Sequence, residues 1–429
     1  MHLGHSHGRH RACNAGCASL QRGFDETAGS DVTKRILLVS NGHGEDAEAA
    51  AIARAVREAG LSVEMSAVAM VGEGRAYMAA GVPLVGPTFM PPSNGFSYMD
   101  RKLLIADLRA GLIGATFRQW RAVRRAARQS DLVLGVGDEF CQLVAWSAGR
   151  PFIAYVPPHS ALYEGNINLD LILIAAMRSR RCLKMLTKDP ATAEVLQRKG
   201  YDKVAYGGNP SVDFLLPSGV DLDIPDGADV VGLLPGSRPP EADRNFLLQM
   251  RLVEKVAALA AAAGRPAPAF RAALVPKLFA AAPALAAQGG WSMDADGHRM
   301  RGPGCAAIGL WTDAFADIID ASRIVVAMAG QASDQALALG KPSLLIAGEG
   351  PQFSWRFAEA QNRLHGGLSR LVGTGAADEA TLDEAARALL DGLADKDWLA
   401  AAATQGPLRM GSRGSAARFV AVIREALAI

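Results

Sequence analysis

Along the chain, apolar residues first gather into a strand-length run at Ile36-Leu37-Leu38-Val39. Four consecutive apolar positions suit a parallel strand covered on both faces. The run breaks at Ser40-Asn41-Gly42-His43-Gly44-Glu45-Asp46, and Ala49, Ile52, Ala53 and Val56 then return at the spacing of one helix face. Gly60 ends that helix and LSVEMSAVAM supplies the next strand. Strand, glycine-containing loop, helix and strand together predict a right-handed βαβ start. Strand-like runs recur at 131–136, 152–156, Leu171-Ile172-Leu173-Ile174 and Lys184-Met185-Leu186-Thr187.

The pattern then pauses. Gly207-Gly208-Asn209-Pro210, followed by LLPSGVDLDIPDG, is rich in Gly, Pro and Asp and reads as an inter-domain linker. Beyond it Val230-Val231-Gly232-Leu233-Leu234 restarts the strand pattern. A loop through Pro235-Gly236-Ser237-Arg238 leads to a long helix with Leu248, Leu252, Val256 and Leu259 on one face. Two such halves, each opening with a strand and a glycine loop, predict two doubly wound α/β domains facing across a cleft. The predicted boundaries are residues 34–206 for the first domain and 207–410 for the second, with a helix over 411–429 that crosses back onto the first. Residues 1–33 carry no such pattern. They read as a disordered leader, with metal capture by His2, His5, His7, His10, Cys13 and Cys17 as the sharper alternative.

Composition narrows the class. Half of the 429 residues are apolar and 21% are charged, which is globular and not disordered. A net charge of +2 argues against a dedicated nucleic-acid binder. The five cysteines form no CxxC pair, so reduced thiols in a cytoplasmic compartment are expected. No uninterrupted apolar run has the length of a membrane span, roughly 18 residues or more.

The chemistry is expected at strand ends, where loops lead into helix N-termini that bind anions. Gly236 lets the backbone approach a phosphate, Ser237 offers a hydroxyl, and Arg238 can grip two oxygens at once. Gly330, Gln331 and Ala332, in the small-residue segment before a second helix, offer another backbone-lined site. Ser333 and Asp334 there read equally as helix caps or as ligand contacts. Around Asn41, Gly42 and Gly44, by contrast, Glu45 and Asp46 would repel a phosphate, so that loop suits a neutral, hydroxyl-bearing acceptor. His43, between two glycines, is expected to be exposed and able to act as a general base. Asp138, in Gly135-Val136-Gly137-Asp138, is read either as a base aimed into the cleft or as the cap of the next helix.

Between these loops lie Phe96 and Tyr98, placed with the acceptor, and then a basic segment. Arg101, Lys102, Arg109, Arg118, Arg121, Arg124, Arg125 and Arg128 interleave with Leu104, Leu108, Ile113, Phe117 and Trp120. Such a stretch suits an anionic membrane surface, with Arg101, Lys102, Arg109, Phe117 and Trp120 as the contacts. A solvated face on a core helix is the plainer reading.

VVGLLPGSR paired with AGQASDQALALGKPSLLI resembles the donor half of GT-B glycosyltransferases. More narrowly, it resembles lipid-A-disaccharide synthase and the synthase-related set. VSNGHGEDAEAAAIARAV and GEGPQFSWRFAEAQNRL are similar to that related set, and the likeness covers residues 35 to 429 at scattered motifs. It implies a GT-B fold and a nucleotide-sugar donor, with no metal and no cofactor. Gly236, Ser237, Arg238, Gly330, Gln331 and Ala332 would then hold the diphosphate. Gln335, beside Asp334, stands where a ribose-binding Glu is found in related transferases, and Gln352, Glu359 and Gln361 would lie by the sugar. Asp138 matches an essential Asp in position, although the local sequence departs from the synthase pattern. The resulting expectation is an inverting, cytoplasmic transferase on the inner membrane face, using a UDP-sugar and a lipid acceptor. A UDP-N-acetylglucosamine 2-epimerase of the same fold and a non-catalytic nucleotide-sugar-binding scaffold are the alternatives.

Overall fold

The computed structural model describes residues 33–93, 95, 101–163, 165, 167 and 169–429. The His- and Cys-bearing leader and the expected acceptor residues Phe96 and Tyr98 lie outside them.

The strands collect into two sheets. The first contains β1 (Lys34–Ser40), β2 (Val63–Ala69), β3 (Leu132–Val136), β4 (Phe152–Tyr155), β5 (Cys182–Thr187) and β6 (Val204–Tyr206), in the order β2-β1-β3-β4-β5-β6. All its pairings are parallel. Its helices are α1 (His43–Glu58), α2 (Arg75–Ala79), α3 (Arg101–Arg109), α4 (Leu112–Ala127), α5 (Glu139–Ser147), α6 (Leu171–Arg178) and α7 (Pro190–Arg198). The apolar run of β1 divides by alternation, as a doubly covered strand must. Ile36 and Leu38 pack with Ile52 and Val56 of α1, and Leu37 and Val39 pack with Val123, Val144 and Leu173 on the other face.

The second sheet contains β7 (Val230–Leu234), β8 (Ala269–Ala273), β9 (Ser292–Met293), β10 (Arg299–Arg301), β11 (Ala307–Trp311), β12 (Ile324–Ala327), β13 (Ser343–Ile346) and β14 (Ser369–Val372). Their order is β14-β13-β12-β7-β8-β11-β10-β9, parallel except where β10 joins β11 and β9. Its helices are α8 (Glu241–Ala262), α9 (Pro276–Gln288), α10 (Phe315–Ala321), α11 (Gly330–Ala338), α12 (Trp355–His365), α13 (Glu379–Ala394) and α14 (Lys396–Met410). One core, including Val231, Leu233, Phe246, Val256, Val326 and Leu345, fills this half. The chain ends in α15 (Ser415–Leu427), whose Phe419 and Ile423 join Ile52 and Val56 under the first sheet.

Two expectations are corrected. Leu171–Ile174 is not a strand but the start of α6. Asp170 caps it, accepting a 2.7 Å hydrogen bond from the Leu173 backbone. Leu173, Ala176 and Met177 face inward at helical spacing while Leu171 is 84% exposed. A short apolar run looks the same in either element; the cap decides. The Gly-Pro-Asp stretch, read as an inter-domain linker, is packed at its start. Asn209, Pro210, Ser211 and Val212 are buried, and Val212 packs with Leu337, Leu364 and Met410 of the second half. Residues 215–229 are the part without helix or strand.

The chain passes between the halves twice, and the two crossings lie side by side. Arg418 Nε donates to the Gly207 carbonyl at 3.1 Å, and Asp213 accepts from the Gly414 and Ala416 backbones at 2.5 Å each.

Candidate functional site

In each sheet the first strand sits at the point where strand order turns, β1 between β2 and β3, and β7 between β12 and β8. Ligands of parallel α/β sheets collect at the carboxyl ends of such strands. The loops singled out in the sequence lie there.

In the first half, the loops after β1 and β3 are bonded to each other. Asn41 Nδ2 donates to Asp138 Oδ1 at 2.6 Å, and the same oxygen accepts from the backbones of Phe140 and Cys141 at 3.0 and 3.1 Å. Asp138 is therefore the N-cap of α5 as well as a half-buried carboxylate at the strand end. Gly137 makes this approach possible: its φ is +148°, and a Cβ there would overlap the Asn41 side chain.

α1 begins at His43 with no side-chain cap. Instead the Glu45 carboxylate turns back over the start of its own helix, close to Gly42 and to its own backbone N–H. It occupies the position an incoming anion would take. Burial, with the nearby charge of Asp138, raises the Glu45 carboxyl above its ordinary range. Asp46 accepts a 2.5 Å bond from the Ser40 hydroxyl, which is also 2.6 Å from the Tyr77 hydroxyl, and burial lifts it to about 7. Glu48, one turn further in, is lifted by burial and by Glu45 to about 8. His43 is not exposed as its glycine neighbours suggested. Its ring packs on Gly72, and burial with the positive charges of Arg238 and Arg75 holds it down to about 4.

In the second half, the loop after β7 carries Gly236, with φ +103°, then exposed Ser237 and half-buried Arg238. Beside it α11 begins at Gly330, also without a side-chain cap and with no acid in its first turn. Its leading N–H groups are thus not taken by a side chain of its own. Ser333 and Asp334 are not caps: the helix starts three residues before Ser333, whose hydroxyl returns to the Gly330 carbonyl at 2.7 Å. Gln352 donates from its side chain to the Arg238 carbonyl at 3.3 Å and from its backbone to Glu241 at 3.0 Å. That binds its loop to the anion-suited segment.

The two uncapped helix starts face each other. Gln331 Nε2 lies 3.5 Å from the Gly44 carbonyl oxygen, and the charge of Arg238 reaches both His43 and Glu45. Asn41, Gly42, His43, Gly44, Glu45 and Asp138 thus meet Gly236, Arg238, Gly330 and Gln331. Other expected donor contacts are occupied elsewhere. Asp334 is buried against Lys188 and His365, and Gln361 donates into the same cluster. Gln335 donates to Ser211 Oγ at 3.0 Å, and Glu359 pairs with Arg363 along α12.

Lys188, Glu48, Tyr155 and His365 were not singled out in the sequence. Lys188 follows β5 at the same carboxyl edge as the other loops, and that position was the available signal. Of the basic segment, Arg101, Lys102 and Arg109 are exposed, as are Leu104, Ile105, Leu108, Ile113 and Phe117. Trp120 is turned inward, its indole donating to Ser147 at 2.9 Å. Among the described residues no helix is long and apolar enough to cross a membrane.

No protein-family model and no curated protein matches the chain. Solved structures do. The calicheamicin glycosyltransferase CalG4 is similar at 16% identity and a TM-score of 0.57, over 92% of this chain and 98% of that one. A candidate UDP-N-acetylglucosamine 2-epimerase from Listeria monocytogenes gives 15% and 0.56, over 92% and 96%. MurG from Acinetobacter baumannii gives 14% and 0.55, over 91% and 99%. At these identities the likeness establishes the fold: two α/β domains with parallel sheets, the GT-B arrangement.

Proposed function

We propose that the protein is an inverting glycosyltransferase that moves a sugar from a nucleotide-sugar, a UDP-sugar in the first instance, to a hydroxyl of a lipid-linked acceptor. The observation that carries this reading is the meeting of two unlike helix starts: α11, with no acid in its first turn, and α1, lined by carboxyls and His43. A diphosphate belongs with the former and a neutral hydroxyl with the latter. The acceptor oxygen attacks the anomeric carbon in line, and its proton passes to Asp138 or to neutral His43. The bond from the anomeric carbon to the diphosphate oxygen breaks, and Arg238 with the α11 N–H groups meets the charge that develops on the leaving group. The exposed apolar residues of α3 and α4 among arginines suit an anionic lipid surface and support a site of work at the inner face of the cytoplasmic membrane.

The test is incubation of purified protein with a panel of UDP- and GDP-sugars and total membrane lipid, read by mass spectrometry. A glycolipid appearing with free nucleoside diphosphate is the expected outcome. No donor giving product, and none raising the melting temperature, would remove the reading. A nucleotide-sugar 2-epimerase is the second reading, supported by the epimerase among the structural neighbours. It would interconvert donor sugars without lipid.

A further inference from the structure

Between the halves, one turn further along α1 and α11 than the facing helix starts, lies a buried charged cluster that this chemistry does not use. Lys188, in the turn between β5 and α7, places its ammonium 2.6 Å from Asp334 Oδ2 of α11. The two side chains are only 8% and 12% exposed. The other Asp334 oxygen accepts from Gln361 and stands 3.0 Å from His365 Nε2, both on α12. Tyr163 and Glu48 of the first half act on Lys188, whose charge also reaches Glu45, while Arg363 and Asp189 act on Tyr163. One residue along α11, Gln335 donates to Ser211 of the crossing segment at 3.0 Å.

We infer that Lys188 is a positioning residue: through Asp334 it sets where the N-terminus of α11 stands against the loop after β1. A buried ion pair adds little net stability over a well-packed apolar pair, so folding alone does not account for one here. What it supplies is a short, directional contact between halves. Asp334 follows Gly330 by four residues, one turn and ~6 Å along the axis, so the pinned point and the anion end of the helix move as one body. Asp334 is therefore a structural partner, not a donor contact. Its pairing also fits its acidity, since the charge of Lys188 and the hydrogen bond from His365 outweigh burial and hold its carboxyl down to about 2.

The inference rests on the donor role proposed for α11, and its test separates the two. Hydrogen exchange of peptides spanning 328–340 and 41–47 is followed, without nucleotide, in the parent protein, Lys188→Met, Lys188→Arg and the apolar double variant Lys188→Met with Asp334→Leu. The double variant keeps a packed core should the single one fail to fold. Both segments are expected to exchange about tenfold faster in Lys188→Met and in the double variant. Turnover should fall ~10–100-fold, the scale of a misplacement near 1 Å, with KM for the donor changing much less. Lys188→Arg should restore most of both. Unchanged exchange in a folded variant overturns the pin, and faster exchange with unchanged turnover overturns its bearing on the chemistry. A parent protein that turns over no donor counts against the proposed function instead, and the exchange data still decide the contact.

Discussion

The N-termini of α1 and α11 are built alike and filled differently. α1 follows the turning strand β1 and α11 follows β12, the neighbour of the turning strand β7; each starts without a side-chain cap, and each faces the other. Yet α1 carries Glu45 and Asp46 in its first turn and folds Glu45 back over its own leading N–H groups, whereas α11 opens with Gly330, Gln331 and Ala332. A helix dipole favours an anion by about 0.3–1 kcal/mol when exposed and more when partly buried. The first half supplies that anion itself. The second has no acid of its own at that position. Duplicate architecture thus yields opposite preferences through a few side chains.

The strongest way to break this comparison is to disarm the acidic side. Asp138→Asn keeps an oxygen for Asn41 and for the α5 cap, so folding should hold, yet turnover should fall ~10²–10⁴-fold if the carboxylate takes the proton. Donor binding by thermal shift should be unchanged. Disarming the basic side should separate differently: Arg238→Ala should lower turnover by ~10²–10³ and weaken protection by UDP at the same time. Equal UDP protection in parent and variant would count against the anion site.

A smaller effect comes from making the two helices alike. Gln331→Glu gives α11 the acid that α1 already has, and UDP affinity should drop about tenfold, or ~1.4 kcal/mol, by calorimetry. The carboxyls of α1 also carry a stability prediction. The folded protein holds the Glu48 proton up to about pH 8, whereas the ordinary value is 4.5. Stability should therefore decline as pH rises from 4.5 to 8, because the unfolded chain releases that proton first. Glu48→Gln keeps an acceptor for Tyr155 and should raise the melting temperature at pH 8 by several degrees, with little change at pH 4. The smallest expected effect concerns the acidic limb of kcat/KM. If His43 is the base, that limb should fall near pH 4, where its imidazole charges, and not near 6.5.

Much of this was legible. An apolar run followed by glycine marks each turning strand, at Val39 before Gly42 and at Leu234 before Gly236, and local residue order is enough to see it. Leu171–Ile174 was misread because four apolar residues carry no period; Asp170 before them was the overlooked cue. The exposure of His43 was misjudged because flanking glycines say nothing about Gly72 packing on its ring from another loop. Lys188 and Asp334 lie 146 residues apart. No spacing rule connects them, so Lys188 reads as an ordinary loop position and Asp334 as a cap or ligand contact until the halves are seen together.

The paired crossings have a mechanical consequence. Because residues 207–213 and 414–418 run side by side and bond to each other, the two chain crossings between the halves lie along one line, as a door is hung from two knuckles on a single pin. Swinging about that line leaves both connections intact, while shearing or twisting across it would tear the bonds of Asp213 and Arg418. Of the motions between the halves, swinging about this line is the one that spares these bonds.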